Sequence, residues 1–393
     1  MKNPFVSIIV LIVALCIYDA KGQSISVFPE NAWGAYSWTQ FTGLTRENAP
    51  DAKGGPIVAW WSKLETADRV YQFDREIGDK LKTLEQNDMY CFLIVWVAPA
   101  GDVTDGTTKW RSTPQWIFNS PHNVPLVEFD ERTDPLGKEQ KSTYPYYLDQ
   151  TYTNLYYRMI RALGNYLTNL PPNLRSRILY IQSAEGATGD GQPYKGNPIN
   201  PIYNITNARW ETYRLDAWKV YKEALSKDGA MLFPLLTNDD SNSAAMRKWM
   251  LDELPNAVGV KNGMFSHGYQ ISDAQERVKA HFALRDQVTA AGKEFFARGE
   301  QDMEYVTHGW STKNIPQGLY WSAIYATHCG LSMWNAPTQA FFEDPKNLTA
   351  FKFFNKYAAQ FYPKTAKGAF CAFYRGLDAS DAVTFPEVPY GKV

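Results

Sequence analysis

Arg177-Ile-Leu-Tyr-Ile-Gln-Ser-Ala-Glu185-Gly-Ala-Thr-Gly-Asp190 is an apolar run that ends in a carboxylate and a glycine-rich loop. Ile178 to Ile181 has the length and the branched and aromatic content of a strand buried on both faces, and Glu185 stands where that strand stops. Glu294-Phe-Phe-Ala-Arg-Gly-Glu300 repeats the form. Working outward, comparable apolar runs occupy 33–38, 56–61, 91–97, 231–236, 258–265 and 331–334. Stretches with helical periodicity separate them, over 67–86, 152–167, 208–226, 241–254, 272–291, 318–327 and 345–361. In the first of these, Val70, Phe73, Ile77, Leu81 and Leu84 carry the apolar stripe. Eight strands alternating with helices predict an α/β chain folded as a (β/α)8 barrel, with its long polar loops at the carboxyl ends of the strands. A doubly wound sheet would need a phosphate-binding glycine loop after an early strand, and none is present.

The net charge of −1 gives no electrostatic footprint for nucleic acid or for an anionic membrane. Residues 1–22 read as a secretory signal peptide. Lys2 supplies the charge, the apolar run from Phe5 to Tyr18 is too short to span a bilayer, and Ala20-Lys-Gly22 offers small residues for cleavage. The expected product is secreted or periplasmic, with no membrane insertion after cleavage. The barrel is expected over 23–362, and 363–393 reads as an extension or the start of a β-rich further domain. Beyond the leader, Cys91, Cys329 and Cys371 are too few for a disulfide framework and read as buried, inert thiols. The histidines lack metal-ligand spacing, so neither a metal nor a cofactor is expected. Aromatic residues make up 15% of the chain, which suits either rings stacked on sugars or a large aromatic core. Sequons at Asn204-Ile-Thr206 and Asn347-Leu-Thr349 matter where the host glycosylates.

Several motifs in order suggest a family. Trp61-Ser-Lys-Leu-Glu65 with Tyr71-Gln-Phe-Asp74, then Ala98-Pro-Ala100 with Thr113-Pro-Gln-Trp116, lead through 147–167 into the Glu185 strand. This succession resembles the clan A barrel glycosidases of the β-galactosidase type (glycoside hydrolase family 42 and related galactan-active enzymes) over about residues 33–337. The resemblance implies a retaining mechanism with Glu185 after strand four as acid/base and Glu300 after strand seven as nucleophile. Arg298 or the Tyr269 hydroxyl would hold the nucleophile ionised. Trp116, His267, Tyr269, Trp334 and Asn335 would contact a carbohydrate substrate.

The departure from that pattern is Ala184, because the clan usually has an asparagine there to reach the sugar 2-hydroxyl. Asp302 and Glu304 are rivals to Glu300, and Asp239 and Asp240 could serve an inverting scheme but read more naturally as helix caps. The expectation is a secreted glycosidase cleaving β-linked, galactose-containing glycans by double displacement. The alternative is a glycan-binding barrel without turnover, for which Ala184 is the main argument.

Overall fold

The computed structural model describes residues 26–38, 43–104, 107–129, 132–133, 139–238, 242–261, 274–300, 319, 322–323, 326–327, 329–336 and 338–359. Eight parallel strands form one sheet: β1 (Gly34–Ser37), β2 (Ile57–Trp60), β3 (Cys91–Trp96), β4 (Ile178–Gln182), β5 (Leu235–Asn238), β6 (Ala257–Lys261), β7 (Glu294–Glu300) and β8 (Met333–Ala336). Their order is β1-β8-β7-β6-β5-β4-β3-β2, as a barrel requires. The ring closes between β1 and the approach to β2, where Ser37 N donates to Gly54 O (2.9 Å) and Lys53 N to Ala35 O (2.9 Å). All eight expected strands are present, each within a few residues of its predicted bounds.

Alternation along the strands divides the core in two. Tyr36, Val58, Phe92, Ile94, Tyr180, Leu236, Phe296 and Met333 pack together as the barrel interior. Phe28 packs on Phe296 with ring centroids 4.9 Å apart, joining the N-terminal segment to that interior. The intervening residues, among them Ile57, Leu93, Val95, Leu235, Val260 and Ala297, form a second core with the surrounding helices. These helices are α1 (Asp79–Gln86), α2 (Gln150–Thr168), α3 (Asn207–Ala224), α4 (Ala244–Glu253), α5 (Ala274–Ala290) and α6 (Leu348–Tyr357). Asp149, Thr206 and Ser243 cap α2, α3 and α4 by accepting backbone N–H bonds three residues on.

Two segments depart from the sequence reading. The helix expected from Ala67 begins only at Asp74, because Glu65–Ala67 and Val70–Tyr71 first form a small hairpin. The buried Glu65 carboxylate organises that turn by accepting from Trp61 Nε1 (2.9 Å), Arg69 N (2.9 Å) and Arg158 Nη2 (2.6 Å). The stretch read as a long loop after β3 contains short antiparallel strands at Gly101–Thr104, Thr107–Trp110, Leu126–Glu128, Arg132–Thr133 and Glu139–Pro145. A run of rings supports this excursion and the α2–α3 contact. Phe129, Tyr144, Tyr194, Tyr147, Tyr152, Tyr156, Tyr213 and Trp210 touch in succession, so a large part of the aromatic surplus is core. The expected leader, the tail 363–393 and Cys371 lie outside the described residues.

Candidate active site

The carboxyl ends of the strands carry polar and aromatic groups on the inner face, where alternation continues from the apolar interior below. Trp60 and Trp96, paired in register on β2 and β3, are half-buried there with Trp38 after β1, and all three pack on the barrel interior. Asn238, Lys261 and Arg298 follow side by side on β5, β6 and β7. Arg298 is 1% exposed, lies over the Trp38 ring at 5.2 Å, and donates from Nη1 to Asn335 Oδ1 at 3.0 Å. Asn335 therefore shares the inner face with Arg298. The backbone of Glu300 ends β7 in register with Asn335, two positions beyond Arg298.

The loop after β4 crosses this mouth. Thr188 and Gly189 take left-handed conformations, with φ of 52° and 78°. Thr188 N donates to Ala98 O at 3.3 Å, and a Cβ on Gly189 would lie 2.7 Å from Ile94 Cδ1, so the turn rests on the inner face of β3. The next residue, Asp190, reaches the far side. Its Oδ1 is 3.3 Å from Lys261 Nζ at the end of β6, and its Oδ2 is 3.0 Å from Lys195 Nζ. Lys261 is only 7% exposed, so an ion pair with a loop carboxylate offsets the desolvation of its ammonium. Asp190 itself is 29% exposed.

Glu185 does not face this mouth. Ala184 packs with the barrel interior, and the next side chain therefore points outward, into the layer between sheet and helices. There the Glu185 carboxylate is 1% exposed. Its Oε1 accepts from Trp218 Nε1 at 2.7 Å and its Oε2 from Arg214 Nε at 3.2 Å, both on α3. Arg214 is fully buried and also donates from Nη2 to Asn238 O at 3.2 Å. A carboxylate so enclosed and committed to two donors of α3 is turned away from the mouth, where the expected acid/base role would place it.

Trp334 is turned away from the mouth for the same reason. It lies between Met333 and Asn335, which face inward, and so turns outward onto Phe351 and Phe354 of α6, with centroids 5.4 and 5.6 Å away. Trp116 stands outside the barrel, donating from Nε1 to Glu65 O at 3.1 Å and lying beside Arg158 of α2. His267, Tyr269, Asp239, Asp240, Asp302 and Glu304 lie outside the described residues, and so does the Glu300 side chain. Cys91 and Cys329 are buried, and burial pushes both thiols well up, away from the thiolate a nucleophile needs. Asp190, Lys261, Trp38 and Trp60 were missed. The inward Lys261 is recoverable from alternation with Ala257 and Gly259, whereas nothing local in the sequence fixes the path of the loop that carries Asp190.

The architecture defines the chain as a (β/α)8 barrel with its polar mouth at the carboxyl ends of the strands. Among solved structures it is similar to the catalytic domain of a β-amylase from Paenibacillus polymyxa (TM-score 0.50, 11% identity, covering 84% of this chain and 98% of that one). It is also similar to a β-galactosidase from Rahnella sp. R3 (TM-score 0.50, 11% identity), where the match covers 91% of this chain and 62% of the galactosidase. At these identities the likeness is one of fold. No family model matches the chain, and no curated protein matches it in sequence.

Proposed function

We propose that this protein is a secreted glycoside hydrolase acting on β-linked, galactose-containing glycans at the barrel mouth. Asp190 is the observation that carries the reading: a carboxylate brought across the mouth and held by Lys261 on β6, next to β7 with its terminal Glu300. Glu300 remains the proposed nucleophile, and Asp190 takes the acid/base role in place of Glu185, whose carboxylate is turned toward α3. The half-buried indoles of Trp38, Trp60 and Trp96 supply flat apolar walls for pyranose C–H faces.

In the first step a Glu300 oxygen bonds to the anomeric carbon as the glycosidic C–O bond breaks, and the leaving oxygen takes a proton from Asp190. Water then gives a proton to Asp190 and its oxygen to the anomeric carbon, which releases Glu300. Paired with two ammonium groups Asp190 is a carboxylate, so to act as the acid it must first take up a proton as both contacts open on substrate binding, Lys195, the more exposed, before Lys261.

Screening the full chain against galactans and galactosides for reducing-end release tests the proposal. Turnover lost in both Asp190→Asn and Glu300→Gln supports it. Binding without turnover would instead favour a glycan-binding barrel, and carboxyl groups more than about 10 Å apart in a ligand-bound structure would exclude double displacement.

A further inference from the structure

The two sequons occupy opposite environments. Asn347 is 3% exposed and donates from Nδ2 to Phe341 O at 3.2 Å, so its amide nitrogen is turned into the fold and committed there. Asn204 is exposed, with an extended backbone (φ −61°, ψ 133°), just after the short helical turn Pro201–Tyr203. Its sequon partner Thr206 is also exposed, at the N-cap of α3.

The surface around Asn204 carries apolar groups that the fold leaves open. Ile202 is 67% exposed and Ile199 53%, the two highest values among the exposed large hydrophobic residues described. Leu126, 45% exposed, belongs to the same region, because Ile199 N donates to Glu128 O (3.0 Å) and Pro198 bridges Phe129. Tyr203 packs on Tyr146 with ring centroids 5.1 Å apart, which anchors the turn below. Exposed apolar side chains gathered in one region favour self-association, as singly scattered ones do not.

We infer that Asn204 carries an N-linked glycan in the exported protein, that Asn347 does not, and that the glycan shields the Ile199–Ile202 surface. The attachment forms a bond from Asn204 Nδ2 to the anomeric carbon of a lipid-linked oligosaccharide, with the lipid pyrophosphate leaving and the amide proton lost to solvent. The inference is independent of any hydrolytic activity and depends on export through a glycosylating compartment; the expected N-terminal leader bears on export alone.

The test is expression of the full chain with its own leader in insect cells, followed by peptide N-glycosidase treatment and peptide mass mapping of the secreted protein. The expected result is a single glycan, lost in Asn204→Gln and kept in Thr349→Ala, which removes the second sequon without touching the buried Asn347. The Asn204→Gln protein should also elute with more high-mass species in size-exclusion chromatography. A secreted wild type without glycan, a glycopeptide containing Asn347, or failure of the chain to enter the secretory pathway would each overturn the inference.

Discussion

Glu185 and Arg214 form an ion pair, Nε to Oε2 3.2 Å, in which both side chains are 1% exposed or less. One partner follows β4 and the other lies mid-way along α3, so the pair fastens the helix to the sheet. Trp218 completes the carboxylate's shell from the next turn of the same helix, and the Arg214 guanidinium lies over its ring at 5.1 Å. A carboxylate at the expected catalytic position is thus employed in holding the barrel wall.

Substituting Glu185 with glutamine should therefore lower stability while leaving the folded protein competent. Removing one charge of a buried pair strands the other, at a cost of about 3–5 kcal/mol. Equilibrium denaturation should show the loss, and Arg214→Met combined with Glu185→Leu should recover part of it. Abolished turnover at unchanged stability would return Glu185 to the reaction.

Asp190→Asn should behave in the opposite way. General acid–base groups contribute roughly 100- to 10,000-fold, so kcat should fall into that range below wild type, while the thermal midpoint should fall less than in Glu185→Gln, because Asp190 is 29% exposed although its partner Lys261 is nearly buried. Added azide should restore turnover of an activated aryl glycoside if Asp190 serves as acid/base. A merely structural Asp190 would show no such rescue.

Barrel closure rests on a backbone position that only glycine fills well. Gly54 has φ +156°, and a Cβ there would fall on the carbonyl of Tyr90, its bridge partner at the foot of β3. Gly54→Ala should cost roughly 1–3 kcal/mol through forced backbone displacement. Hydrogen exchange at Ser37, whose N–H bonds to Gly54 O, should rise more than exchange in β6.

Alkaline pH should unfold the protein cooperatively. Burial pushes the hydroxyls of Tyr147, Tyr152, Tyr156 and Tyr213 well above the ordinary tyrosine range. An unfolded tyrosine titrates near about 10. The folded state therefore binds more protons above that pH, and the stability these groups contribute is full below it and lost as pH rises further. The tyrosinate absorbance of the buried set should appear together with loss of helical circular dichroism. Titration of these tyrosines in a still-folded protein would contradict the burial.

The sequence by itself determined the eight strands, their alternation with helices and hence the barrel, because strand-length apolar runs and helical periodicity are local properties. It also located strand-end residues, Arg298 and Asn335 among them, that the fold turns to the inner face. The tertiary structure decided which side of the wall each strand-end residue faces. The side-chain period of a strand is two, so one residue separates inward Ala184 from outward Glu185, and Asn335 from Trp334. A rearrangement in the pairing of β4 between Ile178 and Ile181 makes that parity harder to read along the strand that mattered most. Asp190 was beyond any local rule, since its place depends on Gly189 settling against β3 and on an ammonium from β6 meeting it across the mouth.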